Sequence, residues 1–260
     1  MDLSERAVGA APGPHARHPW ERARAAFVVE RLRTMGLRPG DAVLDVGAGD
    51  AWLAASVQEA LGVAVTCWDV HYQDDDLARV AALGLRPTRT LPDGPFHAAL
   101  LLDLLEHVED DAALLASVVA RLRPGGRMLI TVPAWPALFS AHDRALHHLR
   151  RYTPAALRAR LLGAGLLVDE SGGLFHALLA PRALAVLAER LGLAHWGEAS
   201  ELPGWRVAGW RGGAGVSDAL VRALRAEQRL SLLSARLRLD VPGLSAWAVC
   251  TRPLWQSASP

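Results

Sequence analysis

The sequence predicts an α/β fold in which helices cover both faces of a mostly parallel, seven-stranded sheet. Short apolar segments of strand character alternate with helical segments from about residue 42 to residue 165, an order typical of parallel β-α-β units. Two further strand segments follow, around residues 170 and 247. Hydrophobic residues make up 51% of the 260-residue chain, which is enough for one large core. We therefore expect a single domain over residues 18–254.

The elements follow one another in a regular order. Apolar residues at helical spacing predict a helix from Trp20 to Met35, ahead of the first strand. The predicted strands are AVLDVG, VAVTCWDV, a short segment at 85–90, HAALLLDL, MLITVP, LLVDESGG and GLSAWAVCTRP. The helices between them are predicted at about 51–61, 75–83, 111–122 and 153–162. Thr153 suits the N-cap of the last helix and Pro154 its first turn, and RPGGR should be the turn that opens the fifth strand.

About seventy residues between the sixth and seventh strands belong to neither strand. Helical patterns near 178–193 and 217–237 flank a loop rich in Gly and Trp. We expect a helical cap, at about residues 175–240, over the carboxyl edge of the sheet. Its tryptophans are expected to pack against the sheet, or else to wall an apolar pocket; they are Trp196, Trp205 and Trp210. Residues 1–17 and 255–260 are expected to be disordered tails.

Composition narrows the classes of partner. A formal net charge of +1 gives no general attraction to nucleic acid. No segment has the length of a membrane span and the N-terminus has no signal-peptide core, so we expect a cytoplasmic protein, with peripheral membrane contact left open. With only Cys67 and Cys250, neither a disulfide framework nor a cysteine-based zinc site is expected. Arg without Lys is typical of a GC-rich bacterial genome.

The segment VLDVGAGDAWLA carries the clearest chemical signal. A strand ends just after Asp45, the turn Gly47, Ala48, Gly49 follows, and a helix begins at once. Glycines let the N–H groups of such a turn approach a ligand, and a helix N-terminus favours a carboxylate or phosphate. A dinucleotide fingerprint needs a third glycine at position 52, where Trp52 stands, so a nicotinamide-dependent dehydrogenase is disfavoured.

Two later strands bring acidic residues to the same edge of the sheet. The second strand ends at Asp69, before Val70 and one β-α-β unit after Asp45. A carboxylate at this place can accept hydrogen bonds from two ribose hydroxyls. The fourth strand delivers Asp103 and Leu104. The pattern therefore predicts a ligand that carries a ribose.

These segments resemble the class I S-adenosylmethionine-dependent methyltransferases, which have a Rossmann-like fold. The turn after Asp45 is similar to their motif I, with Ala51 in place of a usual third glycine. LLDLLEHVEDD and LRPGGRMLITVPA resemble the families that include the ubiquinone/menaquinone-type enzymes (methyltransferase domain 11). HPWERAR, DVGAGDAW, VPAWPALFSAHDRALHHLRRYT and VPGLSAWAV resemble the bacterial methyltransferase domain 23 group.

The resemblance implies the strand order 3-2-1-4-5-7-6 with an antiparallel seventh strand, and S-adenosylmethionine as the cofactor. It implies glycines beside the methionine moiety, an acid on the ribose, and residues 101–104 along the methionine or ribose edge. The expected cofactor-binding residues are Asp45, Gly47, Ala48, Gly49, Asp69, Val70, Asp103 and Leu104. Three strands would then separate the two cysteines, so we expect both to be unpaired.

Methyl transfer is an in-line displacement that depends on positioning, so we expect no metal. A neutral hydroxyl or ammonium acceptor also needs a base, and the loop after the fifth strand offers candidates. His148 is our first choice, with Asp143 orienting its imidazole. His142 lies in the same loop, and His147 stands where the family pattern has glycine. The alternative is that these residues tie the loop to the cap.

Other residues near this edge are expected to be structural. Arg150 and Arg151 are expected to form surface salt bridges more than to grip an acidic substrate. Glu106 and His107 are expected to brace their loop or to contact a ligand, without a catalytic role. The sequence as a whole predicts a methyltransferase for a small-molecule acceptor, hydroxyl-bearing, lipid-linked or a natural product. The alternative, an inactive binding or regulatory protein, requires that Trp135, Phe139 or cap side chains fill the methyl-facing space. The oligomeric state stays open.

Overall fold

The computed structural model describes residues 17–193, 213–237, 239 and 241–254. They form a seven-stranded sheet with the order β3-β2-β1-β4-β5-β7-β6. β7 is antiparallel to both of its neighbours, and the other neighbouring strands are parallel. The strands are β1 (Ala42–Val46), β2 (Ala64–Trp68), β3 (Arg86–Thr88), β4 (Phe96–Leu102), β5 (Leu122–Pro133), β6 (Leu167–Leu174) and β7 (Ser245–Thr251). The predicted fold class is confirmed, and Cys67 and Cys250 are free and buried.

Helices lie on both faces of this sheet, as predicted. They are α1 (Pro19–Thr34), α2 (Trp52–Leu61), α3 (Asp74–Ala82), α4 (Asp111–Arg121), α5 (Ala141–Ala145), α6 (Pro154–Gly163), α7 (His176–Arg190) and α8 (Ala214–Arg236). Thr153 caps α6 by accepting the N–H of Ala156 at 3.0 Å, and Pro154 occupies the first turn. No helix among the described residues is long and apolar enough to cross a membrane.

The core has two layers because side chains alternate across the strands. On one face, Val43 and Trp247 pack in a cluster with residues of α1, α2 and α8. On the other, Leu44 and Cys250 pack in a cluster with residues of α4 and α6. Both faces of the central strands are buried, which explains why their sequences are almost continuously apolar.

Two predictions about boundaries were wrong. The RPGGR segment does turn, but it lies within β5, which already begins at Leu122, instead of before the strand. Leu122 pairs with Phe96 and pairing resumes only at Arg127 with Ala98, and Gly125 between them has a left-handed φ of 73°, so the segment bulges out of the ladder. At the N-terminus, Arg17 was expected in the tail but is only 5% exposed.

The insertion between β6 and β7 is only partly a cap. α7 lies against the loop after β5, where Arg182 donates to the backbone of Leu138 and to Ser140. α8 instead packs beside α1, where the Gln228 amide donates to the Ala23 carbonyl at 2.9 Å. The second helix therefore belongs to a core layer. The three tryptophans expected in the cap, and both tails apart from Arg17, lie outside the described residues.

Candidate active site

The glycine turn after β1 forms one wall of the candidate cofactor site. Gly47 and Gly49 have left-handed backbone angles, with φ of 70° and 56°, a region that glycine enters without strain. A Cβ on Gly47 would lie only 2.7 Å from Cδ1 of Leu104, on the loop after β4. Glycine is therefore needed at position 47 for the turn itself and for the close approach of these two loops.

Asp69 follows β2, as predicted, and is 3% exposed. Its Oδ2 accepts the N–H of Gly49 at 3.1 Å, and its Oδ1 accepts the N–H of His71 at 2.9 Å. The carboxylate thus fixes the glycine turn, and each oxygen keeps a lone pair for a ligand hydroxyl. The neighbouring Val70 side chain is 63% exposed.

A cleft of about 440 Å³, open to solvent, lies against the glycine turn. Its wall includes three of the residues predicted from the sequence, Asp45, Gly47 and Ala48. The other lining residues are Arg17, Glu21, Arg24, Asp50, Trp52, Leu53 and Leu102. The cleft therefore coincides with the predicted cofactor side of the site.

Sequence reasoning missed the two arginines in this cleft. Arg17 forms an ion pair with Asp50, and its guanidinium lies 4.9 Å from the centre of a Trp52 ring. Arg24 forms an ion pair with Asp103 on the loop after β4. The available signal was the charged segment ARHPWERAR, but Arg17 was assigned to the tail and Arg24 to a packing helix. Arg24 makes α1 part of the site, and Arg17 lies just before this helix.

Asp45 lies near the end of β1 and is 5% exposed. Burial raises the pKa of its carboxyl to about 7, while the Arg24 guanidinium opposes the shift and the Asp69 carboxylate adds to it. The side chain therefore changes charge near neutral pH. A ligand that places positive charge in this cleft would favour its ionised form.

Asp103 connects the cofactor cleft to the end of β4. Its backbone is left-handed, with φ of 52°, a conformation that costs an aspartate energy and is found preferentially at functional sites. Its Oδ1 accepts the hydroxyl of Thr131 at 3.0 Å, and its Oδ2 pairs with Arg24. Leu104, the next residue, contacts the glycine turn. Both lie where the sequence predicted them.

The Asp143 side chain is the centre of the loop after β5 and is fully buried. It accepts hydrogen bonds from Arg151 at 2.7 Å, Arg182 at 2.9 Å and the backbone N–H of Ser140 at 3.0 Å. Nδ1 of His148 lies 3.1 Å from Oδ1, the oxygen that also accepts from Arg151. Burial alone would raise its pKa, but the hydrogen bonds and positive charges of these partners hold it well below the usual range. Asp143 is therefore an ionised and well-satisfied carboxylate.

The pairing of His148 with Asp143, predicted from the sequence, is present. Because Nδ1 of His148 faces the carboxylate, Nε2 remains for another partner. His147, which replaces the family glycine, adopts the left-handed conformation with φ of 59°, so the turn keeps its geometry. Arg151 pairs with Asp143, and Arg150 lies 3.5 Å from the Asp111 carboxylate. Both arginines form salt bridges, but the pair of Arg151 with Asp143 is buried and not, as predicted, at the surface.

The short 3-10 turn after β4 places Glu106 and His107 beside His148. The two imidazole rings meet edge to face, with centroids 4.7 Å apart. Glu106 is 0% exposed, and neither of its carboxylate oxygens has a hydrogen-bond partner among the described residues. Burial raises the pKa of Glu106 well above its usual range and lowers that of His107 to about 3. The N–H of Leu149 donates to the Glu106 carbonyl at 2.7 Å, which ties the two loops together.

Trp135 and His142 are the other residues that the sequence singled out near this edge. The indole N–H of Trp135 donates to the Gly243 carbonyl at 2.7 Å, and the ring lines a separate groove beside Pro154 and Gly172. Trp135 is not among the residues that line the cofactor cleft. Burial lowers the pKa of His142, in α5, to about 3, so this imidazole is neutral.

Comparison with known proteins places the chain in a family. The family described as a methyltransferase domain, the domain 23 group, matches residues 19–196. The ubiquinone biosynthesis O-methyltransferase of Xanthomonas axonopodis pv. citri is 30% identical over 186 residues, which cover 62% of this chain and 74% of that protein.

Solved structures have the same fold. A geranyl diphosphate methyltransferase in complex with S-adenosylmethionine has a TM-score of 0.55 and 15% identity, covering 88% of this chain and 84% of its own. Phosphoethanolamine N-methyltransferase 2 of Haemonchus contortus, also in complex with S-adenosylmethionine, has a TM-score of 0.53 and 17% identity, covering 90% of this chain and 53% of its own. The chain belongs to the methyltransferase domain family and is an S-adenosylmethionine-dependent methyltransferase with a Rossmann-like fold.

Proposed function

We propose that this methyltransferase methylates a hydroxyl oxygen of a small-molecule acceptor, with the cofactor in the cleft beside β1 and the acceptor beside His148. The proposal rests mainly on one arrangement. The carboxyl ends of the parallel strands β1, β2, β4 and β5 meet at one edge, so the glycine turn, Asp69 and the His148–Asp143 pair belong to the same site.

The cofactor side fits S-adenosylmethionine because the glycine turn and the Asp69 carboxylate lie together at the ends of β1 and β2. Gly47 has no room for a Cβ, and the Asp69 oxygens have lone pairs left for ribose hydroxyls. When bound, S-adenosylmethionine supplies an electrophilic methyl group on a sulfonium. We assign its binding to the eight residues predicted from the sequence: Asp45, Gly47, Ala48, Gly49, Asp69, Val70, Asp103 and Leu104. Arg24 of α1, and Arg17 just before that helix, add guanidinium groups that suit the carboxylate of a methionine moiety.

On the acceptor side, we assign His148 as the residue that receives the hydroxyl proton and Asp143 as the residue that orients it. A carboxylate on Nδ1 fixes the tautomer of the ring and directs Nε2 away from the loop. The buried ion pairs of Asp143 with Arg151 and Arg182 hold the carboxylate still. Such an arrangement positions an imidazole for proton transfer at small entropic cost.

An oxygen acceptor is supported by the sequence relatives, whose names describe O-methyltransferases of ubiquinone biosynthesis. Those names describe the relatives, and only the class of accepting atom is carried over here. A neutral hydroxyl needs a base near the methyl group, and His148 meets that requirement.

The test supplies radiolabelled S-adenosylmethionine and a small-molecule extract of a bacterium to the purified protein. We expect the label to appear in extractable small molecules. Base treatment should not release the labelled methyl group, because an ether is stable to base. His148→Ala should lower the single-turnover rate by roughly 10²–10⁴-fold while the cofactor Kd stays within about twofold. His97→Gln is the control, because His97 lies at the start of β4 and pairs with Asp41 at 3.1 Å. Label confined to protein or nucleic acid would contradict the proposal.

A further inference from the structure

Glu106 poses a physical problem that the proposed function does not solve. A carboxyl group that is 0% exposed normally has hydrogen-bond partners, because an unsatisfied buried polar group costs several kcal/mol. Neither oxygen of Glu106 has one among the described residues. Nε2 of His107 is also buried without a partner in this part of the chain. Two unsatisfied groups of complementary ligand type therefore lie next to each other.

A third ligand atom completes this group. One ligand atom each from Glu106, His107 and His148 lie within 4.8 Å of one another. For His148 we assign Nε2 as the ligand atom, since its Nδ1 faces Asp143. Ligands on a single zinc ion lie about 2.0–2.2 Å from it and about 3.4 Å apart. Closing the site would therefore need the ligand atoms to approach one another by at most about 1.4 Å.

We propose that Glu106, His107 and His148 bind a divalent transition-metal ion, of which zinc is the type, through one carboxylate oxygen and two imidazole Nε2 atoms. Two histidines and a carboxylate with an open fourth position are the ligand set of catalytic rather than structural zinc. Imidazole favours zinc over magnesium, which prefers oxygen ligands. The inference departs from the expectation that no metal takes part.

The surroundings of both imidazoles support this role. Ligand histidines usually donate their second ring nitrogen to a carboxylate or a backbone carbonyl. The Asp143 carboxylate is this second partner for His148. For His107, the second partner is the backbone of His147. The charge of Asp143 is itself balanced by Arg151 and Arg182, so it does not compete for the ion.

The site bears on the proposed function, since a metal ion beside the acceptor would make its hydroxyl more acidic. With the ion bound, Nε2 of His148 is a ligand and cannot also receive the hydroxyl proton, so the ion lowers the pKa of the hydroxyl and the proton leaves to solvent. His148 receives the proton itself only in the metal-free protein. The effect of the ion on an acceptor rests on the proposed function, whereas the binding of the ion does not depend on it. Binding is therefore measured with neither acceptor nor S-adenosylmethionine present.

The experiment titrates the full chain, first treated with EDTA, with Zn²⁺ by calorimetry and with Co²⁺ by visible absorption. We expect about one ion per chain and the d–d absorption of four- or five-coordinate cobalt, with much weaker binding of Mg²⁺. Zn²⁺ binding should weaken by at least about 100-fold in each of the variants Glu106→Gln, His107→Ala and His148→Ala. This loss exceeds the one usual for residues that only hydrogen-bond to a metal ligand. His97→Gln, on the opposite edge of the sheet, should bind as the wild type does.

Circular dichroism checks that each variant is folded, and Glu106→Gln keeps the size of the side chain if a histidine variant fails to fold. Unchanged Zn²⁺ affinity and an unchanged cobalt spectrum in Glu106→Gln would overturn the inference, as would a wild type that binds neither ion. A protein that methylates an acceptor but binds no Zn²⁺ overturns this inference alone. A protein that binds Zn²⁺ through these residues but methylates nothing overturns the proposed function alone.

Discussion

The Asp143 carboxylate lies 2.9 Å from a guanidinium nitrogen of Arg182, although 39 residues separate the two in sequence. The contact joins the loop after β5 to the first helix of the insertion, and both side chains are at most 4% exposed. Arg151 pairs with the same carboxylate. The insertion is thus attached to the candidate active site through one buried anion shared by two cations.

Asp143→Asn should lower the free energy of unfolding by about 3–5 kcal/mol, because it leaves two buried guanidinium groups without their counter-charge. Urea denaturation measures the change. The matched control is Arg144→Ala in the same short helix, which removes an exposed 3.4 Å pair with Glu189 and should cost under about 1 kcal/mol. Equal losses in the two variants would show that burial of Asp143 adds nothing.

Asp69→Ala should weaken S-adenosylmethionine binding by roughly 1.5–3 kcal/mol, the usual worth of charge-assisted hydrogen bonds. Calorimetry measures the Kd. Because Asp69 also accepts the Gly49 N–H, the fold of the variant is checked by its unfolding midpoint. The control is Asp74→Ala, an aspartate whose side chain is 94% exposed at the start of α3. Unchanged affinity in a folded Asp69→Ala protein would remove Asp69 from the ribose site.

The strands and the cofactor turn could be predicted because their signals are local. Apolar runs mark buried strands, and the Gly-x-Gly turn becomes specific because Asp45 precedes it and Asp69 follows one β-α-β unit later. Asp69 was predictable for the same reason, since strand ends at one edge of a parallel sheet must converge. These inferences required only the order of the elements.

The missed features depend on contacts between distant segments. The pairing of Arg24 with Asp103 spans 79 residues, and nothing local in α1 shows that its arginine reaches the end of β4. The sequence likewise does not show that Glu106 is buried and that its oxygens have no hydrogen-bond partner among the described residues. A buried and an exposed glutamate are the same letter in a sequence. α8 was misplaced because an amphipathic helix does not reveal which surface its apolar face covers.

His147→Gly should stabilise the protein by about 1 kcal/mol, raising Tm by roughly 2–4 °C for a chain of this size. His147 is exposed and has φ of 59°, so glycine relieves backbone strain while little buried surface is lost. His147→Ala serves as the control, because it trims the side chain but keeps the Cβ that causes the strain. Thermal unfolding of the three proteins decides the matter, and a glycine variant no more stable than the alanine variant would contradict the expectation.

Asp45→Asn should remove a pH dependence of stability. In the folded protein the pKa of Asp45 is raised from 3.8 to about 7, mainly by burial. Between these two values the folded state holds a proton that the unfolded state has released, so the free energy of unfolding falls as pH rises from about 4 to about 7. Above pH 7 the carboxyl is ionised in both states and the loss is complete. At about 1.4 kcal/mol for each pKa unit, the loss amounts to up to about 4 kcal/mol.

An asparagine has no proton to release, so the Asp45→Asn protein should gain on the wild type steadily between pH 4 and pH 7 and by a constant amount above pH 7. Urea denaturation at closely spaced pH values, without S-adenosylmethionine, follows the difference between the two proteins. Other titrating groups, Glu106 among them, contribute equally to both and cancel in this difference. Asp74→Asn, whose carboxylate is exposed, should run parallel to the wild type at every pH. Parallel curves for Asp45→Asn and the wild type would mean that the cleft solvates the Asp45 carboxylate as well as water does.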